Sequence, residues 1–252
     1  MESVITISAL GDNLIYLYEY GQGDCLAVDP GDCPPVLNAL KKHNLSLRTI
    51  LVTHHHWDHI GGVVKLKQKT GCKIIGGDKR RTRGLDQLVE DGQKFPVGDA
   101  EVRIIATPGH TSTSVCYYLP PAANNASGIL WTGDTLFVGG CGRLFESGAQ
   151  VMWESLQKLA SLPDDTFVYC GHDYTVENYE FALSIEPENQ MVRQRLSDIS
   201  KTGQTVPSNI SQEKTTNIFL RSGTPKVKTA LGMPDAKDFE VFAELRRRKD
   251  IF

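Results

Sequence analysis

The chain has 252 residues, 40% hydrophobic and 23% charged, which excludes a disordered or fibrous polypeptide and allows a substantial core without cross-links. A net charge of −3 gives no global attraction for nucleic acid, so any anion-binding patch must be local. The six cysteines form no C-x-x-C pair, no basic stretch followed by an apolar run opens the chain, and no uncharged apolar run could span a bilayer. These features point to free thiols in a reducing compartment, with the cytosol as default and a mitochondrial form also compatible.

In chain order, Val4–Ile7, Asn13–Tyr18 and Cys25–Asp29 read as three short strands separated by Gly-Asp turn chemistry. Pro34 fits the first turn of a helix to about Lys42. Thr49–Val52 is a β-branched buried strand, followed by a histidine-rich loop and a helix from Gly61 to about Lys69. Lys73–Gly76 is another strand. Asp78–Asp91 is a charge run, Asp-Lys-Arg-Arg-Thr-Arg at its front, and reads as a solvated surface segment. Strands follow at Glu101–Ala106, Ser114–Leu119, Gly128–Thr132 and Thr166–Cys170, with a loop over Pro120–Asn125 and a helix over Met152–Ser161. Beyond about Thr175 the apolar spacing turns helical, is broken over Gly203–Ser208, and ends in an amphipathic helix closing with Arg246-Arg247-Arg248-Lys249. The expected fold is an α/β, αββα sandwich over residues 1–173, followed by a smaller helical domain over residues 174–252.

Five of the seven histidines fall in one recurring context. His54, His56, Asp58 and His59 follow the Thr49–Val52 strand. His110, Asp134 and His172 each follow a predicted strand and a glycine, which lets the backbone turn a ligand inward. Strand ends along one sheet edge converge, so these seven residues are candidate ligands. Seven are too many for one tetrahedral ion that keeps an open position, and they suit two divalent ions with Asp134 as bridge. Imidazole and carboxylate fit zinc, iron or manganese alike. His55 is expected to point away from the ions or to support a ligand, and His43 to lie on the surface.

These motifs, together with Gly140-Cys141-Gly142-Arg143 and Cys170-Gly171-His172-Asp173-Tyr174, resemble the metallo-β-lactamase superfamily, and within it the glyoxalase II, or hydroxyacylglutathione hydrolase, family. The resemblance covers almost the whole chain. It implies one metal on His54, His56 and His110, a second on Asp58, His59 and His172, and Asp134 between them, with zinc the usual metal. It implies glutathione contacts from Arg143, Phe145, Tyr174, Arg246 and Lys249, with His172 facing the substrate as well. Arg143 stands where lysine is more usual, and Phe145 where tyrosine is often found. The implied reaction is hydrolysis of lactoylglutathione: a bridging hydroxide attacks the thioester carbonyl, and Asp58 orients it. A thiol leaving group needs no strong general acid, which favours a thioester over an amide or β-lactam.

Two other readings remain beside this one. A persulfide dioxygenase of the same fold would use one iron, and a binding protein would use a closed, structural metal site. A nuclease is disfavoured by the charge and by the lack of an inserted nucleic-acid domain. The expected state is a monomer that binds a small glutathione thioester, with neither nucleic acid nor membrane as partner.

Overall fold

Period-two alternation of apolar residues gives the first sheet two buried faces. The computed structural model describes residues 4–121 and 127–252. Strands β1 (Val4–Ala9), β2 (Asn13–Gly21) and β3 (Asp24–Val28) form an antiparallel meander. Helix α1 (Cys33–His43) begins with prolines in its first turn, where a missing N–H costs nothing, and leads to β4 (Ser46–Val52), parallel to β3. Helices α2 (Trp57–Ile60) and α3 (Val63–Thr70) return the chain to β5 (Lys73–Gly76) and then β6 (Gln87–Leu88), both added in parallel. Along β2 and β3, Ile15, Leu17, Cys25 and Ala27 face Val36 and Leu40 of α1 and Val63 and Leu66 of α3. Their neighbours Leu14, Tyr16, Leu26 and Val28 face the second sheet.

That sheet contains β7 (Lys94–Val97), β8 (Ala100–Ala106), β9 (Val115–Leu119) and β10 (Ile129–Gly133), all antiparallel. A small pair, β11 (Leu136–Phe137) and β12 (Gly140–Cys141), precedes helix α4 (Ala149–Ala160), after which β13 (Phe167–Cys170) joins β10 in parallel. Helices α5 (Thr175–Ile185) and α6 (Gln190–Thr202) follow, and β14 (Ser208–Asn209) then pairs with β13. Helices α7 (Ile210–Thr216), α8 (Pro225–Ala230) and α9 (Asp238–Lys249) complete the chain. The αββα sandwich with a helical C-terminal part is therefore the fold. No helix among the described residues is long and apolar enough to cross a membrane.

Hydrogen bonds between the sheets gather the strand ends at one place. The Tyr16 hydroxyl donates to the Cys170 carbonyl at 2.6 Å, and the Tyr117 hydroxyl to the Val52 carbonyl at 2.7 Å. The Leu14 amide donates to Gly171 O (2.8 Å), and the Val115 amide to Thr53 O (2.9 Å). Buried phenols need such acceptors, and satisfying them here fixes the offset of one sheet on the other.

The structure departs from the sequence reading in several places. The helix expected from Gly61 is present as α3, beginning two residues later at Val63, while the short α2 in the histidine loop before it was not expected; between them Gly61 and Gly62 pack onto the Gly31 and Pro30 carbonyls, where a Cβ would sit 2.5 Å away in each case. Strands β7, β11, β12 and β14 were not anticipated; three of them are two residues long, too short for any periodicity. The charge run at 78–91 is not wholly solvated: Asp78 and Thr82 are buried, and β6 lies within it. The loop expected over Pro120–Asn125 falls largely outside the described residues. All six cysteines are free and buried.

Candidate metal centre and cleft

The seven candidate ligands meet at the ends of β4, β10 and β13 and in the loop after β8. One donor atom from each of His54, His56 and His110 lies within 4.8 Å of the others, and so for Asp58, His59 and His172. Asp134 stands between the two groups. Its Oδ1 is 3.3 Å from His59 Nε2, and its Oδ2 is 3.4 Å from both His110 Nε2 and His172 Nε2.

Outer partners fix the rings. Thr53 Oγ1 meets His54 Nδ1 (3.1 Å), Asp29 meets His59 Nδ1 (3.0 Å), the Arg143 carbonyl meets His110 Nδ1 (2.9 Å), and Asp12 meets His172 Nδ1 (2.7 Å). In these four residues Nε2 is left to face the centre, whereas His56 presents Nδ1. Such contacts set the tautomer and orientation of metal-binding imidazoles. Asp29 also accepts from the Thr53 amide (2.7 Å) and hydroxyl (2.6 Å), and Asn13 Nδ2 donates to Asp58 Oδ2 at 3.0 Å. None of Asp12, Asn13, Asp29 or Thr53 was singled out from sequence. Asp29 alone carried a signal, an acidic residue at a strand end before Pro-Gly.

The donor set fits cations. His110 Nε2 and His56 Nδ1 are 2.9 Å apart, His54 Nε2 and His56 Nδ1 3.1 Å, and His59 Nε2 and His172 Nε2 3.2 Å. His59 and His172, each held by a carboxylate through Nδ1, would set lone pairs against each other if both were neutral and protons against each other if both were charged, and His56 Nδ1 can carry at most one proton for the two nitrogens of His54 and His110 that face it. Asp134 Oδ1 is buried with no hydrogen-bond partner. A cation in each group resolves both problems, and the fold with these clusters defines a dinuclear divalent-metal site. Electrostatics agree. Burial opposes ionisation of Asp134, yet His59, His172 and His54 hold its carboxyl well below the usual range. Burial pushes His172 down, but Asp134, Asp58 and Asp12 outweigh it and carry the ring up to about 11. Burial drives His54 well below its ordinary value.

Close approach, more than backbone freedom, explains the glycines. Of the three glycines that precede candidate ligands, Gly109, Gly133 and Gly171, only Gly133 has a left-handed φ, +48°. A Cβ on Gly171 would sit 2.4 Å from Asp134 Oδ1, and one on Gly109 would sit 2.3 Å from Met152 Sδ. His55 turns away from the centre, with Nε2 3.5 Å from Glu146 Oε1, and His43 is exposed.

Both groups open onto a cleft of about 730 Å³. Arg143, Phe145, His172, Tyr174, Arg246 and Lys249 all line it. Tyr174 stacks on His172 at 5.0 Å between ring centroids. Phe145, 62% exposed, sets its ring 5.2 Å from His110 and 5.6 Å from His56. Arg143 reaches toward Asp250 at 3.7 Å. Arg246 is buried: it donates to the Cys141 carbonyl at 2.8 Å, pairs with Asp250 at 2.9 Å and lies over the Phe219 ring. Lys249 Nζ donates to Glu177 O at 3.0 Å. The helical part also holds the cleft floor. Asn178 donates to Val138 O, Asn217 to Phe137 O and Gly140 O, and Glu213 accepts from the Gly139 amide.

Fold and centre together define a member of the metallo-β-lactamase superfamily, whose family model matches residues 9–172. A second model, hydroxyacylglutathione hydrolase C-terminus, matches residues 173–252. The hydroxyacylglutathione hydrolase of Methylococcus capsulatus is 44% identical over 259 aligned positions, covering 100% of this chain and 99% of that protein. The one from Brucella anthropi is 46% identical, covering 90% of this chain and 87% of that protein. Among solved structures, ETHE1 from Myxococcus xanthus superposes with a TM-score of 0.69 at 24% identity, covering 98% of this chain and 90% of that one, a likeness of fold. The chain belongs to the hydroxyacylglutathione hydrolase family.

Proposed function

We infer that the protein hydrolyses the thioester of S-(R)-lactoylglutathione, and of other 2-hydroxyacylglutathiones, to glutathione and D-lactate, the second step of methylglyoxal detoxification. The observation that carries this reading is that two ligand groups, with Asp134 between them, open onto one cleft that also holds Arg143, Arg246 and Lys249. These basic groups suit a substrate bearing carboxylates, with Glu177, Glu180 and Asp250 lining the same cleft and Asp250 pairing with Arg246. Family membership supports the same reading.

His54, His56 and His110 would hold one cation, Asp58, His59 and His172 the other, and Asp134 both. Zinc is favoured, and iron and manganese suit the same donors. The cations supply a water acidic enough to ionise near neutral pH and a positive field for the developing oxyanion. Asp58, held by Asn13, would orient the attacking water as well as bind metal. Phe145 shields the His56 and His110 side of the cleft from solvent. Tyr174, stacked on His172, walls the other side. Lys249 and Arg143 hold the tripeptide, and Arg246 fixes the Cys141 carbonyl and shares its charge with the same end of the cleft. The leaving thiolate, from a thiol of pKa about 8.5, departs without a proton donor.

We place the division of labour near residue 173, with residues 1–173 holding the metals and residues 174–252 binding glutathione. A monomer in the cytosol is the proposed state, supported by unpaired cysteines. Loss of thioester absorbance with lactoylglutathione, set beside a chromogenic β-lactam and beside oxygen uptake with glutathione persulfide, tests the reading. Turnover of the thioester alone supports it. Turnover of either alternative in its place overturns it.

A further inference from the structure

The charge run at 78–83 reads in the sequence as solvent-facing, yet two of its residues build a contact at the rim of the cleft. Asp78 is buried and accepts from the Arg80 amide (2.9 Å), the Arg81 amide (3.0 Å) and Thr113 Oγ1 (3.0 Å), which folds its turn into one shape. Asp78 Oδ2 also accepts from Arg81 Nε at 2.6 Å, so the guanidinium is aimed before it meets anything else. Arg81 then spends its terminal nitrogens on Glu146, through Nη1, and on Thr113 Oγ1 at 3.2 Å, through Nη2. Glu146 in turn accepts from the Ser112 amide and hydroxyl, each at 2.8 Å. His55 Nε2 approaches the same carboxylate at 3.5 Å. One ion pair thus joins three loops: the turn after β5, the loop that carries His110, and the segment that carries Arg143 and Phe145.

Phe145 is next to Glu146 and is 62% exposed; its ring meets only the edges of His56 and His110. Arg143 is also exposed, at 64% of its side chain, and its carbonyl holds His110. Leu144 between them packs against the core, but the exposed side chains of Arg143 and Phe145 gain little from that packing, so their orientation depends on polar anchors. A guanidinium fork aimed by a buried carboxylate restrains geometry more than a flexible ammonium would.

We propose that Arg81 and Glu146 are positioning residues, whose ion pair locks the 143–147 segment onto the 110–114 loop and so presents Phe145 and Arg143 to the substrate in one conformation. The two do not touch the reacting atoms. The proposal rests on the glutathione-thioester reading for its kinetic consequence, but its structural consequence is independent of any substrate.

The test uses the metal-loaded full chain in four variants, Arg81→Ala, Arg81→Lys, Glu146→Gln and the double variant combining Arg81→Ala with Glu146→Gln. Hydrogen exchange of the unliganded protein, read by mass spectrometry, should show faster exchange across 142–147 in Arg81→Ala and Glu146→Gln, with partial protection in Arg81→Lys. With lactoylglutathione, Arg81→Ala and Glu146→Gln should each raise KM about fivefold with kcat within about twofold, the scale of one partly exposed ion pair. The double variant should be no worse than either single one, because both remove the same contact. Unchanged exchange at 142–147 overturns the proposal, as does additive behaviour of the double variant. Loss of bound metal alongside the KM change also overturns it, since the pair would then act through the histidines. If the wild-type protein fails to turn over the thioester while the exchange result holds, the substrate reading fails and the positioning role stands.

Discussion

Gly171 tests whether the metal centre is built by close approach. A Cβ at this position would lie 2.4 Å from Asp134 Oδ1, 2.8 Å from His59 Cε1 and 3.1 Å from the Gly133 carbonyl carbon, where ordinary contact begins near 3.4 Å. In Gly171→Ala the Asp134 carboxylate or the β13 end must therefore move by about 1 Å. Neither has room. Asp134 and His59 are buried, the Gly171 amide donates to Gly133 O at 2.9 Å, and its carbonyl accepts from Leu14. Overpacking of this kind costs about 1–3 kcal/mol. A bridging ligand displaced by this much should weaken metal affinity at least as much as loss of an outer partner does, about 10–100-fold. The assay is metal retained per chain after equilibration with a graded series of competing chelators, with melting temperature measured on the same samples. Gly148→Ala is the control, because nothing lies within 4 Å of a Cβ there. Metal retention in Gly171→Ala equal to that of the wild type would refute the reasoning.

Other consequences follow from the cleft and its rim. Lys249→Ala should raise KM for lactoylglutathione about tenfold while leaving kcat nearly unchanged, as expected for a charged hydrogen bond remote from the carbonyl. Arg246→Ala should raise KM and also lower the melting temperature, because it leaves the buried Cys141 carbonyl without its donor, a loss of about 1–3 kcal/mol. An unchanged KM in both variants would show that the clamp lies elsewhere. Glu146 should also give a pH signature. Burial works against its charge, but the Ser112 and Arg81 hydrogen bonds prevail and push the carboxyl down to about 2. Its folded pKa lies below the ordinary 4.5, so its stabilisation is complete above that value and is lost as pH falls toward 2. The melting-temperature gap between wild type and Glu146→Gln should accordingly be constant from pH 7 to 5 and close below it. A gap at pH 2.5 as large as the gap at pH 7 would contradict this.

The strand-end pattern made most of the fold and the ligand set legible in the sequence. Apolar alternation in Asn13–Tyr18 and Cys25–Asp29, and ligand-type residues placed directly after strands, are local signals that burial then enforces. What the sequence hid is set by long-range contacts. The chain alone does not reveal that Asp12 reaches His172 or that Arg143 offers its carbonyl to His110, because those partners are 160 and 33 positions apart. By charge alone the terminal basic run reads as a solvated helix end, and only the resemblance singles out Arg246 and Lys249; in the structure Arg246 is buried among Cys141, Phe219 and Asp250, while Arg247 and Arg248 pair with Glu244. The three glycines before candidate ligands share one explanation in the sequence, backbone freedom, whereas the structure shows crowding at all three and a left-handed φ at Gly133 alone.

Two cations, bridged by Asp134, are proposed to serve thioester hydrolysis in this cleft. Titration of metal-free protein with zinc, following bound metal and lactoylglutathione turnover on the same samples, tests this. Turnover should rise with bound zinc and be complete at two equivalents per chain. Two equivalents bound with no turnover would contradict it.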